Sequence, residues 1–232
     1  MKALVAGLAL ALLVTPALAD YYVAGDFNVA WDPANAGYQM TETFPGSEIY
    51  TLDLAGETPG RHEFKITDGT WGWTQPSANS WLVDDGDGNV TVTFDNNTYA
   101  DGWSPTWGRL GVNEDPGAWT AVGDFVSELG GADWNNADPF GAMTPMGGGI
   151  YSLTAVLPAG HYMWKAVVTG SWDSISWDAR SINTANWEFD VDAVNNTAIL
   201  QVNALAGTVR IDVVPEPASL LGLLILGLIR RR

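Results

Sequence analysis

The sequence predicts an all-β protein built from two tandem, immunoglobulin-like antiparallel β-sandwiches, with short apolar helices confined to the two ends. Three observations carry this expectation. Several segments alternate apolar and polar residues with the period of two that a half-buried strand requires, turn residues separate them at short intervals, and the whole pattern is written twice. Between residues 20 and 214 no stretch sustains helical periodicity.

The strands come first. In residues 47–54, Ile49 and Thr51 fall on one face while Tyr50, Leu52 and Leu54 fall on the other. Residues 62–67, 89–94, 150–157, 162–169 and 197–202 read the same way, with turns at Pro59-Gly60, Asp87-Gly88 and Pro158-Ala159-Gly160. The duplication is explicit. Val23-Ala24-Gly25-Asp26-Phe27 returns as Ala121-Val122-Gly123-Asp124-Phe125, and each copy is followed by a loop tryptophan, Trp31 or Trp134. Met40-Thr41 matches Met143-Thr144, Ile49-Tyr50-Thr51-Leu52 matches Ile150-Tyr151-Ser152-Leu153, Phe64-Lys65 matches Trp164-Lys165, and Gly69-Thr70-Trp71 matches Gly170-Ser171-Trp172. These correspondences set a first sandwich at residues 20–108 and a second at 117–213, joined by a Gly- and Pro-containing linker at 109–116. Roughly 90 residues carrying about seven short strands is the size of one immunoglobulin-like sandwich.

Charge and composition narrow the chemistry. The 232 residues hold 27 Asp plus Glu against 10 Lys plus Arg, a net charge of -17, so the surface repels nucleic acid and other polyanions. Without cysteine the chain has no disulfide, thiolate metal site or thiol nucleophile. Its two histidines, His62 and His161, both follow the Pro-Gly turn that opens the same strand in each copy, which is a scaffold position. The run 84–89, Asp-Asp-Gly-Asp-Gly-Asn, begins like a calcium loop. Counting twelve positions from Asp85 reaches Asn96 instead of the bidentate acid such a loop needs, which favours a tight turn. Carboxylates are scattered as on a solvated surface, and no catalytic residue, metal or cofactor is expected.

The ends read as addresses. Residues 1–19 combine basic Lys2, an apolar run and small residues at Ala17 and Ala19, a signal peptide for the Sec export machinery and signal peptidase. Residues 214–232 place Pro215-Glu216-Pro217 before an apolar segment and Arg230, Arg231 and Arg232. That segment is shorter than the ~17–25 residues of an ordinary span, and its arginines belong on the cytoplasmic side. This order resembles the PEP-CTERM sorting signal. The resemblance implies transient inner-membrane association, processing by an exosortase, and delivery to the Gram-negative cell envelope, either the cell surface or the extracellular matrix.

The order Gly-Asp-Phe, loop tryptophan, Met-Thr, Ile-Tyr-x-Leu, Pro-Gly turn, strand ending in Lys, Gly-Ser-Trp is similar to the small β-sandwich modules repeated in pullulanases. These are related to starch-binding and outer-membrane glycan-binding domains. The second copy fits best, whereas the first departs after Trp71 with Gly72-Trp73. The resemblance implies a non-catalytic accessory part without its enzyme. Sugar rings are met by flat aromatic faces with amides or carboxylates beside them. Trp71, Trp73 and Trp81 with Gln75 in the first copy, and Trp172 and Trp177 with Asp173 in the second, are the expected carbohydrate-binding residues. The competing reading of each loop tryptophan is a pin that holds its own loop. Trp164 and Trp187, on strands, read as core. The expected activity is polysaccharide binding, to an α-glucan or exopolysaccharide, with a structural matrix or biofilm component lacking a defined ligand as the alternative.

Overall fold

The computed structural model describes residues 20–27 and 31–216. The expected signal peptide, nearly all of the sorting tail and both terminal helices lie outside the described residues. Within them the chain is all-β and antiparallel, and the helical turns, which include Ala36–Tyr38 and Val126–Leu129, are short and of the 3-10 kind. No helix among the described residues is long and apolar enough to cross a membrane.

In the N-terminal half, β1 (Tyr22–Gly25), β4 (Gly60–Thr67) and β5 (Thr74–Asp84) form a sheet in the order β1-β4-β5. A second sheet runs β2 (Thr41–Glu42), β3 (Ile49–Leu54), β6 (Val90–Asp95), β7 (Arg109–Val112). In the C-terminal half, β16 (Thr208–Val214), β15 (Thr197–Asn203), β10 (Ile150–Val156) and β9 (Thr144–Gly147) form one sheet in that order. The other is β13 (Arg180–Ser181), β12 (Ser174–Ile175), β11 (Gly160–Val168), β14 (Trp187–Val191), with β8 (Trp119–Gly123) also paired to β11.

Alternation decides which face is buried. Along β6, Val90, Val92 and Phe94 point inward while Thr91, Thr93 and Asp95 stay partly exposed. The β3–β6 register sets Tyr50, Leu52 and Leu54 opposite Phe94, Val92 and Val90. Val23, Phe64, Ile66 and Leu82 of one sheet share a core with Tyr50, Val92, Phe94 and Leu110 of the other, so the two sheets pack face to face. The C-terminal half repeats this with Trp119, Trp164, Ile175 and Phe189 against Tyr151, Leu200, Val202 and Val209. Trp164 is fully buried and Trp187, partly buried, stacks on it at 6.3 Å, as expected for tryptophans on strands.

The repeated Gly-Asp-Phe is a device of backbone geometry. The Asp26 N–H donates to the Glu63 carbonyl at 3.0 Å while Asp26 Oδ2 accepts the Glu63 N–H at 3.0 Å. Asp124 does the same with Met163, at 3.3 and 2.8 Å. The chain crosses so near the neighbouring strand that a Cβ on Gly25 would lie 2.8 Å from the Glu63 carbonyl oxygen. The phenylalanine then folds back over its own glycine. The loop tryptophans that follow share one conformation, Trp31 at φ 57 and Trp134 at φ 56, the left-handed region that bulky residues seldom enter.

The halves are in direct contact. Residues 109–112 of the expected linker form β7, and the approach of Gly111 to the Leu205 carbonyl leaves no room for a side chain. Glycine at 111 thus serves close packing, where composition alone reads flexibility. The Val112 N–H donates to Leu205 at 3.0 Å, and Ser104 and Val209 exchange backbone bonds of 2.8 and 2.7 Å. Beside β5, the Ile182 N–H and the Ser181 hydroxyl both donate to the Asn79 carbonyl at 3.0 Å.

Candidate functional site

The expected binding residues separate into buried and exposed groups. Trp81 is fully buried in the core of the C-terminal half. Its indole N–H donates to the Ser174 carbonyl at 3.2 Å, its ring lies 5.9 Å from Trp119, and the Arg180 guanidinium covers it at 4.6 Å. Asp173 is buried too, and both its oxygens accept from Arg61 at 2.7 and 2.6 Å, a bidentate pair between the halves. Trp73 is half-buried against Tyr21 and Phe94 at 5.4 and 6.0 Å. Neither Trp81 nor Asp173 is available to a surface ligand. The sequence predicts both as ligand-binding residues, but Trp81 belongs to β5 and points into a core, and the carboxylate of Asp173 is spent on the junction.

Trp71, Trp172 and Trp177 remain on loops with 51%, 51% and 47% of their surface exposed. Of these, Trp177 has the most developed surroundings. Its indole N–H donates to the Asn186 carbonyl at 3.1 Å, which fixes the ring while leaving much of it in solvent. It lines a groove of about 410 Å³ together with Asp178, Gln75, Pro105 and Trp107. It also lines a depression of about 390 Å³ together with Asn186, Trp187 and Glu188. Both fall within the ~300–1,000 Å³ typical of small-ligand sites.

Trp107, 43% exposed, is the residue that sequence reasoning missed. It lies at the edge of the segment taken for linker, although an exposed tryptophan in Ser-Pro-Thr-Trp-Gly meets the same criterion that singled out Trp71. Its position is built locally. Gly108 adopts φ +62 and rests against the Gln75 side chain, whose amide donates to the Gly108 carbonyl at 3.2 Å. Gln75 therefore steadies the Trp107 turn while its side chain lines the groove. Asp178 Oδ2 accepts the Ala185 N–H at 3.0 Å, and Oδ1 is buried without a partner. The groove's border thus carries a carboxylate whose Oδ1 is closed to solvent and whose Oδ2 is held by the loop backbone.

A different cleft, of about 440 Å³, is lined by Tyr99, Arg109, Asn203 and Leu205. The Arg109 guanidinium sits 4.1 Å over the Tyr99 ring, and that occupied aromatic face leaves less for stacking than Trp177 offers.

Around the Asp84–Asn89 turn, carboxylate oxygens of Asp85, Asp87 and Glu114 lie within 4.8 Å of one another. Burial, followed by repulsion from Asp85, Asp87 and Asp84, raises the Glu114 carboxyl above its ordinary range. An acid raised in the folded state costs stability once pH climbs through that raised value, and the cost disappears below the ordinary carboxylate range. Glu114→Gln should therefore raise the melting temperature at pH 7 and change it little at pH 3. Equal or lower stability at pH 7 would show that the repulsion has no energetic weight.

Comparison with known proteins bears on the half that carries Trp177. Residues 118–208 match the model of the pullulanase X25 domain. The X25 stretch includes Trp172, Asp173 and Trp177, while Gln75 and Trp107 lie outside it. The amylopullulanase of Thermoanaerobacter thermohydrosulfuricus is 30% identical over 94 residues, 35% of this chain and 6% of that enzyme. Among solved structures, the pullulanase from Bacillus acidopullulyticus is 16% identical with a TM-score of 0.33, covering 55% of this chain and 20% of the other. SusF from Bacteroides thetaiotaomicron is 20% identical with a TM-score of 0.34, covering 88% and 50%. The chain thus spans half or less of each of these proteins.

Proposed function

We propose that this is an exported, non-catalytic polysaccharide-binding protein, built as two tandem immunoglobulin-like sandwiches, that holds an α-glucan or exopolysaccharide through surface tryptophans. The observation that carries the reading is Trp177. A half-exposed indole pinned through its N–H to Asn186 offers a large flat surface with little entropy left to lose, beside the polar groups of Gln75, Asp178, Asn186 and Glu188. The X25 match, which covers Trp177, Asp178, Asn186 and Glu188, supports it. Trp71 and Trp172 supply further exposed rings.

Affinity electrophoresis of the full chain through a panel of polysaccharides tests the reading. Trp177→Ala should weaken retardation about tenfold, the effect of losing one aromatic anchor, with the melting temperature nearly unchanged. If no polysaccharide retards the parent chain, the binding reading falls and the structural matrix component takes its place.

Export through residues 1–19, and exosortase sorting through 214–232 to the surface of a Gram-negative envelope, complete the proposal. They rest on the sequence of those segments. Replacing Pro215, Glu216 and Pro217 with alanine should trap a membrane-bound form in cell fractionation. Unchanged release to the surface would overturn the sorting assignment.

A further inference from the structure

Resting on that reading, we infer that the glycan site is composite: a single uncharged or cationic glycan strand crosses from the C-terminal half onto the N-terminal half, with Trp107 as its second aromatic anchor. The groove beside Trp177 takes its lining from both halves, Gln75, Pro105 and Trp107 from one and Trp177 and Asp178 from the other. Two half-exposed indoles therefore border the same groove from different halves of the chain. Their separation is held by the junction, since Ser104 bonds to Val209 on one side and Asn79 receives Ser181 and Ile182 on the other. Because the depression toward Asn186 and Glu188 shares Trp177 with this groove, one ring borders two adjacent positions where sugars can lie. A chain of several sugar units fits that layout better than a single sugar.

The charge class follows from the border. Asp178 edges the groove and Glu188 edges the depression. Lys165 donates its ammonium to the Thr184 carbonyl at 2.9 Å. With a net charge of -17 on the whole chain, a polyuronate or sulfated strand would be repelled locally and at long range. Sugar hydroxyls, in contrast, can donate to the exposed carboxylate of Glu188.

The experiment uses the full chain, with neutral α-glucan, other neutral polysaccharides and polygalacturonate as probes in affinity electrophoresis. Trp107→Ala should weaken retardation by the best neutral glycan about tenfold, as Trp177→Ala does. Trp107→Tyr, which keeps a ring, should recover most of the loss and guards against a folding artefact. If Trp177→Ala weakens retardation and Trp107→Ala stays within about twofold, binding stands and the composite site is overturned. Retardation by polygalacturonate as strong as by any neutral glycan overturns the charge class. No retardation of the parent by any probe removes the binding reading itself.

Discussion

Trp81→Ala is expected to cost about 3–5 kcal/mol of folding stability, the range for emptying a buried aromatic site. The indole is fully buried and belongs to the core of the half that does not contain its own strand. Its loss opens a cavity beside Trp119, leaves the Ser174 carbonyl without its donor, and strips the ring face from Arg180. The last effect matters because Arg180 is itself buried, with Nε and Nη1 unpartnered and only Nη2 bonded, to Ala204. Burial lowers its pKa to about 9, with Asp115 and Asp173 acting to raise it. Urea denaturation reads the effect as a lower midpoint at unchanged slope. A loss below about 1 kcal/mol would mean that the indole does not fill this core.

Gly123→Ala should also be damaging, by about 1–3 kcal/mol or more, through overpacking. Gly123 has no left-handed backbone to protect. Its restriction is steric: a Cβ would drive into the Met163 carbonyl of β11 and the Phe125 ring. A backbone carbonyl inside a paired strand cannot swing away, so β8 and β11 must part. Gly25→Ala meets Glu63 at 2.8 Å, a looser approach, and should cost less. Thermal denaturation of both variants checks the order. Equal stability of Gly123→Ala and the parent would mean that glycine serves something other than close approach.

Legibility followed local periodicity. Residues 47–54 and 197–202 announced strands because their alternating faces are half-buried, and the structure has Ile49–Leu54 and Thr197–Asn203 there. β5 gave no such signal. Thr74 to Asn79 is polar and contains Pro76, which normally argues against a strand interior, so Trp81 passed for a loop residue. Trp107 and β7 are hidden by composition, since Gly108 at the linker's edge and Gly111 within it signal flexibility while one makes a turn and the other a tight contact. Arg61 with Asp173, and Trp81 with Ser174, join positions far apart in the chain. Pairings of that range leave no trace in either local sequence.

The exchange at the junction also bears on whether either half can stand without the other. Copies of a repeat would be interchangeable if each were sufficient for itself. Here the first copy lends an indole to the interior of the second, and the second lends a carboxylate to an arginine of the first. Excising one copy, or reversing their order, would leave a hole in one partner and an unanswered charge in the other. Cutting the chain within 109–116 would therefore break β7 and separate Arg61 from Asp173 and Trp81 from Ser174.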